Sequence, residues 1–420
     1  MRVLLATDSF PPKCGGSGWS TYELARGLRA RGHHVEIAHA ATGTAPGRHH
    51  RSYDDFAVTG IGVSAPDVPY VRNYFKNERL YPKVADLLLD RIRREGFDLV
   101  HGQHVLTALP AVAAASTAGI PSVVTVRDYW PVCYWSDLIH THEGLSLCPA
   151  CSAGMMTRCV RPRSGALWPL ALPMIPYMRG NLARKRAGLA RARAVIAVSS
   201  TIAKDLRERA PELAGTRLEI IPNPVDVSAL RAAAVAAARP IAGEYALYLG
   251  KLAPNKGTSH LVAIAERAAL DWPLVIVGDG PDAGALRAAA AQSTRDIRMV
   301  GWLDRPDALA WLAHASMLIF TSRGPESLSR VLIEASALGI PIAAMKTGGT
   351  PDIISHGVTG LLSDSPEALA NDVRRLRANE DLRRQLGEAA RAHAESTFDA
   401  PAVVARVEAL YGTLVKETGS

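Results

Sequence analysis

The sequence is 420 residues long, beyond the size at which one core stops growing, so two or more domains are expected. Its 48% hydrophobic and 21% charged residues are the mix of a chain that buries a large core, and they exclude one dominated by disorder. The net charge of +8 is concentrated: Arg158, Arg161, Arg163, Arg179, Arg184, Lys185, Arg186, Arg191 and Arg193 share a segment, 158–193, that has no acidic residue.

From the N-terminus, the apolar run 1–6 is interrupted by Asp8 and by Pro11-Pro12 before a secretory core would be complete. Strands are expected at 2–6, 35–38, 99–101, 122–126 and 194–198, many of them separated by helices, the pattern of a doubly wound parallel α/β sheet. Cys133, Cys148, Cys151 and Cys159 cluster in one expected loop, 133–159, with Cys14 elsewhere. The Cys148-x2-Cys151 spacing is that of a metal knuckle. A closed structural zinc site would staple so long an insertion, with iron–sulfur ligation less favoured, whereas cytoplasmic thiols can equally stay free.

The longest apolar stretch, 166–177, contains Pro169, Pro173 and Pro176 and is too short to span a membrane. A cytoplasmic protein is therefore expected. Trp168, Leu170, Leu172, Met174, Ile175 and Tyr177 lie beside the basic residues. That combination fits a patch touching an anionic membrane, at ~1 kcal/mol per basic residue, and it also fits an ordinary solvated helix face. Nucleic acid is not expected as a partner, because aromatics are scarce and no binding motif is recognisable.

At 220–224 a strand runs into the proline-locked Pro222-Asn223-Pro224, where a domain boundary is expected. Further strands follow at 245–249, 274–277, 317–321 and 342–344, a second sheet. Ligands of such sheets bind beyond the carboxyl ends of the strands. Four loops there carry suggestive chemistry. Gly250 to Gly257 holds Lys251 and Lys256, which can neutralise a diphosphate at ~1.5–3 kcal/mol per charge-assisted hydrogen bond. Gly278-Asp279-Gly280-Pro281 is a tight turn whose glycines let backbone approach a ligand.

The third loop runs through Arg323, Glu326, Ser327, Leu328, Ser329 and Arg330 into a helix that contains Glu334 and ends near Gly339. Amides at Leu328, Ser329 and Arg330 would form an anion site, and the two carboxylates could accept sugar hydroxyls on either side of it. In a plainer reading Glu326 is only a helix N-terminal charge, worth ~0.3–1 kcal/mol, and Glu334 a solvated residue. Its neighbours Val331, Leu332, Ile333, Ala335 and Leu338 argue against solvation. The fourth loop, with Gly348, Gly349, Thr350 and Asp352, again offers bare backbone and a carboxylate.

Taken together, Gly15-Gly16, Pro222-Asn223-Pro224-Val225-Asp226, the Gly250 to Gly257 loop, the Glu326 and Glu334 pair and Gly348-Gly349-Thr350 resemble glycosyltransferase family 4 over nearly the whole chain. The resemblance implies a GT-B fold, two Rossmann-like domains facing across a cleft. Residues 1–221 would be the acceptor side, 222–398 the donor side, and 399–420 a helix returning to the first domain. It implies a retaining, metal-independent enzyme that uses a UDP- or GDP-sugar and needs no cofactor, the departing phosphate taking the acceptor proton. Lys251 and Lys256 would hold the diphosphate, Glu334 the ribose and Glu326 the donor sugar. Gly15, Gly16, Gly250, Gly278, Gly349 and the amides of Ser327 to Arg330 would line the donor. Arg127 stands where a histidine is common, and Ser329 where glycine is frequent. The acceptor would be a sugar, a polyol or a lipid-linked molecule at the inner face of the membrane. A catalytically weak membrane-docked scaffold, a nucleotide-sugar epimerase and a sugar phosphorylase are the competing expectations.

Overall fold

The computed structural model describes residues 1–12, 14–42, 46–66, 68–140 and 147–419. They form two α/β units, one of Met1–His140, Cys148–Pro224 and Ala400–Ser420, the other built on Val225–Asp399. Each has its own sheet, parallel or nearly so, and its own core.

The first sheet contains β1 (Arg2–Thr7), β2 (His34–Thr42), β3 (Gly47–Tyr53), β4 (Phe56–Val63), β5 (Leu99–Gly102), β6 (Ser122–Val126), β7 (Ala194–Ala197) and β8 (Leu218–Ile220). Their order is β3-β4-β2-β1-β5-β6-β7-β8. All pairings are parallel except β3 with β4, an antiparallel hairpin on the edge. The hairpin was not expected, because Gly-Arg-His-His-Arg-Ser-Tyr has no apolar face and its residues are half-buried or exposed. An edge strand need not be apolar, since pairing on one side suffices and charge protects the other.

The second sheet contains β9 (Ala246–Leu249), β10 (Leu274–Val277), β11 (Ile297–Gly301), β12 (Met317–Phe320), β13 (Ile342–Met345) and β14 (Leu361–Ser363). The order is β11-β10-β9-β12-β13-β14, all parallel. That is the dinucleotide-fold order, which puts its switch point between β9 and β12 and aims their carboxyl-end loops at one place. The central strands β10, β12 and β13 are buried throughout, as a sheet covered by helices on both faces requires.

Six helices matter below: α1 (Gly16–Ala30), α2 (Val105–Ala118), α3 (Met174–Leu189), α4 (Arg305–Ala313), α5 (Arg330–Leu338) and α6 (Ala400–Gly419). The last belongs to the first unit. Its Val403, Val404, Val407, Leu410, Tyr411 and Leu414 are buried with Val3, Leu5, Leu24 and Leu28. Each such burial contributes ~1.5–3 kcal/mol. The approach to α1 is close, for a methyl group at Gly27 would stand 2.6 Å from the Val404 side chain.

Candidate functional site

In the second unit the four loops interlock. The Gly250 amide donates to the Val277 carbonyl and the Leu252 amide to the Asp279 carbonyl, both at 3.0 Å. Gly278 has a φ of +141°, and a Cβ there would lie 1.9 Å from the Gly250 oxygen, so only glycine allows the contact. The Asn255 carbonyl accepts from the amides of Arg323 and Gly324 at 3.0 and 2.7 Å, and the Thr321 hydroxyl donates to the Lys256 carbonyl at 2.8 Å. On the far side the Gly349 amide donates to the Glu326 carbonyl at 2.7 Å. The Thr347 hydroxyl donates to the Gly324 carbonyl at 2.7 Å.

Glu326 lies where these loops meet. Its Oε1 accepts from the Lys256 ammonium and, at 2.6 Å, from the Ser322 hydroxyl. Lys251, on the same loop as Lys256, is exposed, and its carbonyl accepts from the Tyr248 hydroxyl at 2.9 Å. Helix α5 follows, capped by Ser329 in extended conformation with no side-chain cap hydrogen bond. Its first amides and its dipole are thus directed toward the loop cluster that holds Glu326. Ser327 and Leu328 lead into that helix, and Leu328 is buried.

Glu334 is 8% exposed. Its Oε1 accepts from Arg305 Nη2 at 2.9 Å and from Arg330 Nε at 2.8 Å. Burial alone pushes this carboxyl up, but the two guanidiniums more than offset it and hold the group below the ordinary carboxylate range. The sequence reading named Arg330 but missed Arg305, the first residue of α4. The cap that starts this helix was legible: Asp304 accepts from the Asp307 amide at 3.2 Å, with Pro306 between them.

In the first unit, Gly15 caps α1 and Gly16 begins it; a Cβ at Gly15 would meet nothing within 4 Å. Arg127, at the end of β6, is buried. It donates to the Asn223 side chain at 2.9 Å and to the carbonyl and side-chain oxygens of Gln103 at 2.9 and 2.6 Å. The guanidinium therefore ties the ends of β5 and β6 to the Pro222-Asn223-Pro224 segment. Beneath it His101 joins the Thr125 hydroxyl at 2.7 Å and the Tyr411 hydroxyl of α6. Burial, then the Arg127 charge, holds His101 well below the ordinary histidine value, so it is neutral. Sequence reasoning singled out none of Gln103, His101 or Tyr411.

Asp8, after β1, lies 3.2 Å from His104 Nδ1. Burial and the neighbouring Asp128 push the Asp8 carboxyl up to about 7, while burial and Arg127 hold His104 well below its usual value. The contact is not an ion pair, and the hydrogen bond of His104 Nδ1 is with the Thr7 hydroxyl, at 2.9 Å.

Cys133, Cys148, Cys151 and Cys159 all line one cavity of about 10 Å³, with Met155, Met156 and Met178. Burial raises all four thiols, Cys133 to about 11 and Cys159 to about 12. Among the described residues no group of three or more His, Cys, Asp or Glu side chains is arranged to hold a metal ion. The basic segment is also partly internal. Arg163 donates to Asp137 at 2.6 Å and stands over the Trp135 ring, Arg186 donates to the Pro131 carbonyl at 2.9 Å, and Lys185 is 5% exposed. Arg158, Arg161, Arg179, Arg184, Arg191 and Arg193 are exposed. No helix among the described residues is long and apolar enough to cross a membrane.

Comparison with known proteins adds to this geometry. Residues 14–229 match the family described as Glycosyltransferase Family 4, and residues 238–393 the one described as Glycosyl transferases group 1. Over 436 aligned residues, 98% of this chain and 94% of the relative, the sequence is 27% identical to a glycogen synthase of Mycobacterium tuberculosis. A shorter stretch of 159 residues, 36% of this chain and 41% of the relative, is 30% identical to a 2-deoxystreptamine N-acetyl-D-glucosaminyltransferase of Niallia circulans. The crystal structure of Anabaena Alr3699/HepE in complex with UDP superposes with a TM-score of 0.66 at 17% identity, over 99% of this chain and 100% of that one. The pair of Rossmann-like units is the GT-B fold. With its first unit matched by the family model and its carboxylate, lysine and helix-terminus loops assembled in the second, the chain belongs to glycosyltransferase family 4 and is a glycosyltransferase.

Proposed function

We propose that the chain moves a sugar from a nucleoside diphosphate sugar to an acceptor hydroxyl, with retention of anomeric configuration and without a catalytic metal. The observation that carries this reading is the placing of Glu326 against Lys256 and Ser322 where four loops converge, one helix start away from Glu334. The ammonium of Lys256, the exposed Lys251 and the amide end of α5 would stabilise the departing diphosphate as its charge grows. Glu334, kept ionised by Arg305 and Arg330, would accept the ribose hydroxyls. Glu326 would hold hydroxyls of the transferred sugar once Lys256 turns to phosphate. The departing phosphate would take the acceptor proton, as the family resemblance implies. Uridine is the base to test first, given the UDP bound by the Anabaena relative.

The test is release of nucleoside diphosphate from UDP- and GDP-sugars in the presence of EDTA. Glu326→Ala should lower kcat/KM at least a hundredfold, and unchanged activity in Glu326→Ala and Glu334→Ala together would remove the site assignment. Dependence on free phosphate would favour a phosphorylase, and donor consumption without an acceptor an epimerase.

Attachment to the inner membrane surface belongs to the same proposal. Leu170 is 77% exposed, and Val68, Val71 and Tyr74 around the helix Pro69–Tyr74 are 51%, 41% and 42% exposed. The Tyr74 and Tyr177 rings, 6.4 Å apart, bring that helix beside α3 and its exposed Arg179 and Arg184. Binding to vesicles with anionic lipid, lost at high salt, is the expected result. A structural zinc ion is proposed for the cysteine cavity, supported by four thiols around a space no larger than one water. Zinc would have to displace protons that burial holds on the sulfurs and draw the sulfurs together, so occupancy should fall steeply with acid. Purified protein at pH 8 that contains neither zinc nor iron would remove the metal.

A further inference from the structure

A second candidate site lies wholly within the first unit. A pocket of about 240 Å³ opens beside the N-terminal end of α2, with Val105 and Leu106 in its wall. Three cations line it, Arg72, Lys76 and Lys185, together with the neutral donors and acceptors Asn73, Asn77 and Ser136. Among the described residues no carboxylate is in that lining. Lys185 is unusual among them, for it is 5% exposed and reaches the pocket from α3, where its ammonium stands 5.8 Å from the centre of the Tyr134 ring. A desolvated ammonium is costly unless an anion joins it.

The surrounding charges agree. Burial lowers Lys185 to about 8, and it lowers Lys76 as well, with Arg72 adding repulsion. Asp8 acts on Lys76 and Asp128 on Lys185, but burial pushes those carboxyls up to about 7 and about 6. An anion in the pocket would favour the charged forms of Lys185 and Lys76, which burial now opposes. The start of α2 adds amides and a positive dipole end to the same wall.

We infer that this pocket takes a sugar or polyol that carries a phosphate or carboxylate, and that such an anion is the acceptor of the transfer. The anionic group would be held by Arg72, Lys76 and Lys185, with Asn73, Asn77 and Ser136 reading its hydroxyls. The acceptor role rests on the proposed sugar transfer; the anion site does not.

The experiment is calorimetric titration of the full chain with inorganic phosphate, glucose 6-phosphate, glucuronate and glucose, repeated on Lys76→Gln and Arg72→Gln. Arg72 is exposed and Lys76 half-buried, so the variants should fold, which circular dichroism checks. Glucose 6-phosphate should bind and glucose should not. Each variant should weaken binding about tenfold to a hundredfold, the span of one charge-assisted hydrogen bond. Tighter binding of glucose 6-phosphate than of glucuronate identifies a phosphate group, and the reverse a carboxylate; both support the site. Glucose binding as tightly as glucose 6-phosphate, or phosphate binding equally to wild type and both variants, would overturn it. Nucleoside diphosphate release measured alongside separates the two readings, because a protein that binds glucose 6-phosphate at this pocket yet releases no nucleoside diphosphate from any sugar donor has lost the proposed transfer and kept the pocket.

Discussion

Glu334 shows how much of a candidate site depends on residues that do not themselves meet the ligand. Its two arginines hold it ionised inside the protein, and loss of either leaves a buried charge underpaired. Arg330→Ala removes the more buried partner and should cost about 3–5 kcal/mol of stability. Arg305→Ala, at the more exposed partner, should mainly raise KM for the donor, by about tenfold, with a smaller change in melting temperature. Because the folded value of Glu334 is depressed below its usual 4.5, its pairing stabilises the protein above that pH and is lost as acid carries it through the folded value. In Arg305→Ala acid unfolding should therefore begin at higher pH, measured by circular dichroism.

Asp8 runs the other way. Its folded value is raised from 3.8 to about 7, so the protonated carboxyl favours the fold below about pH 4 and that contribution disappears as the pH rises to 7. Asp8→Asn should change the melting temperature little at pH 4 and raise it at pH 8, and a pH-independent difference would contradict the assignment. Glu326 was legible because its neighbours Gly324, Pro325 and Ser329 announce a turn into a helix. Arg305 was not, since its partner lies 29 residues on in another helix, and a cap signature does not say where a side chain points.

At the scale of elements, the second sheet was readable because its central strands are buried runs of four residues flanked by turn signals. β11 and β14 were not: β11 is a half-buried edge strand whose composition differs little from a loop, and β14 is an edge strand of only three residues. The meeting of the four loops was invisible in detail, for it rests on backbone contacts such as those at Gly348. This residue has a φ of +50°, and a Cβ there would stand 1.9 Å from the Glu326 carbonyl oxygen. Gly348→Ala should displace Glu326 and lower donor affinity at least tenfold while circular dichroism stays native. Normal affinity in that variant would show that the loops can part without loss of the site.

On the scale of the whole molecule, two cores share one chain unequally. The first unit needs α6, whose six buried apolar side chains lie against β1 and α1. A chain ending at Asp399 should lose the cooperative melting of the first unit and keep that of the second, as two calorimetric transitions reduced to one. His101, bonded to Tyr411 across 310 residues of sequence, would lose its partner in the same truncation and report the change by NMR.

That return of α6 reverses the usual order of birth and completion. Domains ordinarily fold as they leave the ribosome, the first made being the first finished. Here the strands that emerge first cannot be sealed until the last helix has been made, by which time residues 225–399 are already free to assemble. The nascent first sheet must therefore wait with the part of one face beside α1 uncovered, and pauses late in synthesis should expose it to chaperones or proteases more than pauses early on.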